Sequence, residues 1–508
     1  MAVQTQSPPG AKKPGTKGSR IGRGFTLIVG ILCFSLLAYL LFQVVHQFVT
    51  PAVSHRLVQL QDIPLPAGFP LSGGKPSLAE EKLLAAGTDP NALTPGVALS
   101  QFADGFDFET LDPTLHLLFV NHAGPNPDLM AQAHIGFDQT RDGPFDGNIV
   151  VINTLTNTVV GRVNVPQVAG MIYVPQLDKV FAADAQDNYI ADINPHTLKV
   201  TATIQLQDNE SPDAMVYDPD HQRLFVSDPG TPANPITPDN PHGDNNTDRK
   251  NENVAVINAV TDKLIQYINL GNVDLLPGEV VHPADKIPLI ADTKNPGKLI
   301  PKFGHDVGHD QYYNGFIYVT SQILSDGNIL DPLFLPPAGT GELFQINAVT
   351  MQIVGEIDLP VSCSTPHGFV IDASQHTGYI ACTDSAPSDS GRTLFENLAR
   401  VDLGDPTAMK VIPTDPSKAR LEPGPDIVRI DQNPSLHIDV LFVACKAGIS
   451  IFDITPGKFT KLGDEIVGKG THTLLVDPST QLVYLPIITG GRPILRVARY
   501  NPNGRSTF

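Results

Sequence analysis

The feature that most constrains this chain is an internal repeat. One copy reads SPDAMVYDPDHQRLFVSDPG at 211–230 and continues as NVAVINAVTDKLIQYINLG at 253–271. It gives a run of alternating apolar and polar residues, a tight DPD turn and a second run ending in VSD. After an insertion come a third run, an INAVT turn and a fourth run. Short alternating runs bounded by turn residues are the pattern of β-strands. A unit of four such strands cannot bury both of its faces alone, so copies must stack on one another.

The unit recurs across 108–165, 171–206, 309–359, from 366, from 425 and across 471–500, which makes seven copies in all. Seven four-stranded units predict an all-β seven-bladed β-propeller of antiparallel blades. The last unit shows three clear strands. RLVQLQDIPLP at 56–66 resembles the fourth strands KVTATIQLQ and IVGEIDLPV, so it is expected to close the ring as the outer strand of the last blade; the alternative is a plain linker. Ser77-Leu78-Ala79-Glu80 is a capping box and Gly87 a C′ residue, predicting a short helix over 78–86. The composition agrees: 43 Gly and 46 Pro among 508 residues suit a turn-dense β protein.

The N-terminus is different in kind. Phe25–Val49 has no charged residue across 25 positions, enough to cross ~30 Å of hydrocarbon as a helix. Lys12, Lys13, Lys17, Arg20 and Arg23 precede it, so the N-terminus is expected in the cytoplasm and the body outside. A cleavable signal peptide ending near Ala52-Val53-Ser54 is the other reading. The expected organisation is a basic tail (1–24), a membrane helix (25–49), a linker with the closing strand and short helix (50–101), and the propeller (102–508).

NVAVINAVTDKLIQYINLG, FQINAVTMQIVGEIDLP and PDAMVYDPDHQRLFVSD resemble the YVTN-type repeats of bacterial seven-bladed propellers, over roughly residues 102–500. The resemblance is specific for fold and weak for function. Its relatives include surface-layer, adhesive and redox-associated members, and related propellers include lactonases. The lactonase likeness implies one divalent ion at the channel mouth, held by His305, His367 and His472, with Asp213 or Asp426 as ligand or general base.

The residues themselves point to one face. Turns between strands one and two, and between three and four, are short. The long segments 121–148, 227–252, 321–341 and 384–398 join strands two and three, and 272–304 joins two blades; all emerge on one side. Aligning the units on Asp112, Val174, Asp218, Asp310, Asp372, Asp431 and Asp477 adds a second signal. Five residues earlier stand Asp107, Ala169, Asp213, His305, His367, Asp426 and His472. On innermost strands these form a ring at the channel mouth, with His309 and His122 in reach. Three His and three Asp suit Zn, Mn, Fe or Cu. The same residues also suit turn formation, or a metal-free polar ligand site. The tighter subset is His305 and His367 with Asp213 or Asp426. In GHDVGHD, an extended strand sets His305 and His309 ~13 Å apart unless Gly304 or Gly308 bends it. DGNILD (326–331) and DNNTDRKNEN (244–253) are Asn-rich acidic loops, read as solvated and without an EF-hand pattern.

Cys363 and Cys382 fall near this face and are expected to be able to bond, with Cys445 as an alternative partner; three free thiols are the other reading. Cys33 lies in the membrane helix. The cysteine spacing excludes CxxCH haem attachment, and no GxGxxG is followed by a helix, so neither haem c nor a nicotinamide cofactor is expected. The absence of Trp argues against WD-repeat and quinoprotein propellers. The formal charge is −19 overall and −24 beyond residue 24, which excludes nucleic acid as a partner. The functional expectation is a membrane-tethered, extracytoplasmic binding or scaffold protein meeting a protein partner through its long-loop face. The rivals are a metal-dependent enzyme at the channel mouth and an accessory subunit of a periplasmic redox complex.

Overall fold

The computed structural model describes residues 55–65, 106–122, 148–165, 168–185, 187–206, 211–228, 253–270, 279–280, 289–291, 299–301, 303–324, 341–360, 362–363, 365–383, 396–433, 437–446, 448–468, 470–489 and 492–505. All fall in one compact unit, His55–Phe508. The expected membrane helix, the helix at 78–86 and most of the long connections lie outside the described residues. No helix among the described residues is long and apolar enough to cross a membrane.

The unit is a seven-bladed propeller of four-stranded antiparallel sheets. The first strands are Glu109–Asp112, Val168–Val174, Met215–Asp218, Phe303–Tyr313, Thr365–Asp372, Pro425–Asn433 and Leu475–Asp477, one each for blades 1 to 7. Each touches the first strand of the next blade, and blade 7 touches blade 1, so they form the innermost ring. Fourth strands face water: Lys199–Gln205 buries little besides Ile204.

Two sequence devices build every blade. The first is the Asx turn. Asp112, Asp218, Asp372 and Asp477 each accept backbone N–H bonds through Oδ1 from residues two or three further on, and Asn153, Asn194, Asn258 and Asn347 do the same between third and fourth strands. The residue that ends each such turn takes a left-handed conformation, as at Gln222 and Met351. The second is a buried aromatic. Phe119, Phe181, Phe225, Tyr318, Tyr379, Phe442 and Tyr484 occupy the same register on the second strand of every blade, and none is more than 2% exposed. One ring per blade, each stabilising by about 1.5–3 kcal/mol, fills the wedge between neighbouring sheets.

The ring closes through the chain start. Leu57–Pro64 pairs antiparallel with Arg492–Tyr500 and buries Leu57 and Ile63. The Arg496 guanidinium clasps Asp62 at 2.9 and 3.0 Å and also bonds the Val467 carbonyl. Closure of this kind leaves no open blade edge at the seam.

Three departures from the repeat matter. The segment between blades 3 and 4 contains Glu279–Val280, added parallel to blade 3, and a small hairpin of Leu289–Ala291 with Leu299–Pro301. Blade 5 has a fourth strand of two residues, Lys410–Val411, and a cavity of about 410 Å³ opens beside its third strand, away from the inner ring. In blade 4 the first turn is the two-residue Asn314-Gly315 pair between Tyr313 and Phe316, with both turn residues left-handed.

Candidate metal centre at the channel mouth

The inner strands of blades 2, 4, 5 and 6 carry a bulge near their start. In blade 5 the register jumps between Pro366 and Phe369, and in blade 6 between Pro425 and Val428. The bulge re-aims His367 and Asp426 from the ladder. His472 holds the equivalent place in blade 7, and Asp107, Ala169 and Asp213 hold it in blades 1 to 3.

Blade 4 requires a correction. Phe316 opens its second strand as Thr377 does in blade 5, so Tyr313, not Asp310, is the counterpart of Asp372. The ring position therefore belongs to Gly308. His305 lies further back, opposite Gln322. The two-residue turn shortened the hairpin and displaced the alignment by three. His309, next to Gly308, is the histidine that this strand delivers.

His309, His367 and Asp426 come from three successive blades and converge, each offering one ligand atom within 4.8 Å of the others. His309 Nε2 stands 3.6 Å and His367 Nδ1 3.0 Å from Asp426 Oδ1. The two imidazoles meet edge to face at 4.8 Å, and Phe108 covers His309 from blade 1 at 5.0 Å. His472 Nδ1 lies 3.1 Å from Asp426 Oδ2, a bond that fixes the carboxylate's plane. Thr320 holds the His367 carbonyl at 3.3 Å. Asp107 and Asp213 are not part of this cluster. His122 is buried against Phe106, ring on ring at 4.7 Å.

The electrostatics favour a cation. Burial pushes His309 down to about 3, with His367 adding to the shift and Asp426 opposing it, so His309 is a neutral ligand at pH 7. Burial alone would raise Asp426, but the charge and hydrogen bonds of His367 and His472 hold it well below the carboxylate range. The site therefore offers two imidazoles and one ionised carboxylate. His309 Nε2 is buried and makes no hydrogen bond among the described residues. Leaving such an atom unmet costs about 1–3 kcal/mol. An ion at the common point would meet it.

Cys363 and Cys382 form a disulfide with a Cα separation of 4.8 Å. Cys382 lies directly opposite Pro366, the residue before His367, so the bond pins the strand end that carries this ligand. Cys445, at the corresponding place in blade 6, is a buried free thiol whose pKa burial raises.

No family model and no curated protein matches the chain. Many solved structures do. A hydrazine synthase chain from Kuenenia stuttgartiensis aligns with TM-score 0.50 at 11% identity, over 78% of this chain and 96% of that one. The β-propeller domain of Cps50 (Swd1) from Myceliophthora thermophila aligns with TM-score 0.45 at 8% identity, over 78% and 96%. The dihydro-heme d1 dehydrogenase NirN aligns with TM-score 0.38 at 11% identity, over 68% and 56%. At these identities the likeness is one of fold: the described body of this chain is a seven-bladed β-propeller.

Proposed function

We propose that this propeller binds one divalent first-row metal ion at its channel mouth, through His309 Nε2, His367 Nδ1 and Asp426 Oδ1. A membrane tether at 25–49 would hold the body outside the cytoplasm, with the long-loop face turned to a ligand or protein partner. The carrying observation is the convergence of these three atoms within 4.8 Å, with His309 Nε2 buried and without a hydrogen bond among the described residues. Two nitrogens and one oxygen suit zinc and its neighbours better than calcium or magnesium. His472 acts on the ligand carboxylate rather than on the ion, as outer-sphere partners do. Three protein ligands leave a coordination position open, the arrangement of catalytic rather than structural zinc. A bound ion would supply Lewis acidity there, and the residues around it orient the carboxylate and shield it from water. The YVTN-type and lactonase-like resemblance of the repeats is compatible with this reading and does not carry it.

The test is elemental analysis of the full chain, purified in detergent without chelator, beside an Asp426→Asn variant shown to be folded by circular dichroism. Near-stoichiometric metal that is lost in the variant is the expected result. Metal-free wild-type protein that also takes up none on dialysis against zinc, manganese or copper would end this reading. Function would then be sought in partners of the long-loop face.

A further inference from the structure

The inner strands carry one more ring. Opposite the seven buried aromatics stand Thr110, Ile172, Val216, Gln311, Val370, Arg429 and Leu475. Six of these are neutral. Arg429 is the single charge of the ring, three residues beyond Asp426 on the same strand. Arg429 is half-buried, and among the described residues its guanidinium makes one hydrogen bond, from Nη1 to the Val428 carbonyl at 3.1 Å. Among the described residues no carboxylate lies within ion-pair distance of it.

The nearby acids are not paired with it. Glu109 of blade 1 is 2% exposed, and neither of its oxygens makes a hydrogen bond among the described residues. Burial drives its pKa up against the pull of Arg429. Asp426 interacts with Arg429 through space, but its oxygens face the three histidines. A half-buried guanidinium with unspent, forked donors favours an anion that meets it, and its geometry matches a carboxylate or phosphate. A divalent ion bound beside it would add to the positive charge at the mouth.

We infer that the channel beside the histidine cluster is an oxyanion subsite, in which Arg429 takes a carboxylate or phosphate group of a bound ligand. The part of this inference that has the same group complete the ion's open position rests on the metal reading above. The ligand class is therefore an anionic small molecule or an acidic group of a partner.

The full chain loaded with cobalt(II) would be titrated separately with oxalate and with inorganic phosphate, following the visible cobalt absorption. A saturable change is expected for at least one anion, and the one that binds identifies the class. Arg429→Met should retain its cobalt and bind that anion about 30-fold more weakly or worse. Glu109→Gln should bind within about threefold of wild type, because the carboxyl it replaces makes no hydrogen bond to Arg429. Arg429→Met that binds as tightly as wild type, or a wild type that responds to neither anion, overturns the subsite while leaving the metal centre intact. If wild type takes up no cobalt, the metal reading fails by itself. Calorimetry with the same anions then decides the subsite: Arg429-dependent binding keeps it, and no heat of binding sinks it.

Discussion

Blade 2 and blade 5 build the same inner-strand bulge. Val168 pairs with Asp184 and Met171 with Ala182 in one; Pro366 pairs with Cys382 and Phe369 with Ile380 in the other. Each places a glycine where the next blade's backbone passes. A Cβ on Gly170 would sit 1.7 Å from the Asp213 carbonyl oxygen, and one on Gly368 would sit 1.6 Å from that of Asp426. Each bulge is held by a polar side chain at the same register of the preceding blade, Asn121 on the Val168 and Ala169 carbonyls and Thr320 on that of His367. The scaffolding is shared; the chemistry is not. The ring residue of blade 2 is Ala169, and that of blade 5 is His367, aimed at Asp426. Blade 4 then reverses the order to Gly308-His309 and sends its imidazole inward, where it is buried. The inner strands of blades 4 to 6 thus carry a ligand set at or next to the ring place, blade 7 supplies the carboxylate's anchor, and blades 1 to 3 contribute no ligand among the described residues. A closed repeat supplies positions, and single substitutions at those positions supply function.

The contrast can be broken most directly at its centre. Asp426→Ala removes the carboxylate that three histidines share, and bound metal should fall below detection by elemental analysis; Asp213→Ala, at the same ring place in blade 3, should leave metal content unchanged. His309→Ala should weaken zinc binding at least about 100-fold in a competition titration, whereas His305→Ala should change it by less than about threefold. Equal losses would restore His305 to the site. His472→Ala, which removes the carboxylate's anchor and no ligand atom, should fall between them at about 10–100-fold.

Two further comparisons read stability. Gly170→Ala and Gly368→Ala should each cost about 3 kcal/mol in chemical denaturation, because backbone must move in both. Only Gly368→Ala should also lose metal, since it displaces Asp426. The smallest expected effect concerns pH. Asp372 and Asp431 stand at the same register, but Asp372 caps an Asx turn, whereas the longer hairpin of blade 6 leaves both Asp431 oxygens buried without a hydrogen bond among the described residues. Burial, with Asp439 nearby, pushes Asp431 up to about 6. Its folded pKa thus exceeds the unfolded value near 4. Above pH 6 the ionised group costs stability, and the cost vanishes as pH falls below about 4. Asp431→Asn should therefore be more stable than wild type by about 2–3 kcal/mol at pH 8 and equal to it near pH 4, by thermal or urea unfolding. Asp372→Asn should show no such gain at pH 8.

The repeat was legible because its signals are local. Alternation, Asp- and Asn-opened turns and the likeness of Arg56–Pro66 to other fourth strands are all written within short windows. The aromatic ring was not read from the sequence, although its signal stands there as the third residue of each LLFVNH-, KVFAAD- or RLFVSD-like run. The site was legible only in part. His367, Asp426 and His472 stood at the aligned ring position, but His309 was masked by Asp310, which imitates a turn-opening Asp. The corrective signal was Asn314-Gly315 between Tyr313 and Phe316, a strong mark of a two-residue hairpin.

Sequence by itself determined the strands, the turns, the number of blades and the residue types that could reach the channel. These follow from side-chain periodicity and turn chemistry, which act over a few residues. Tertiary structure decided which of those residues meet. His309, His367 and Asp426 are separated by more than fifty residues at each step, and their convergence depends on how much each bulge and hairpin shifts its strand. The charge on Arg429 is likewise visible in the sequence, but its lack of an ion pair among the described residues is not. That depends on what stands around it, and only the closed ring places it at one register with six neutral side chains.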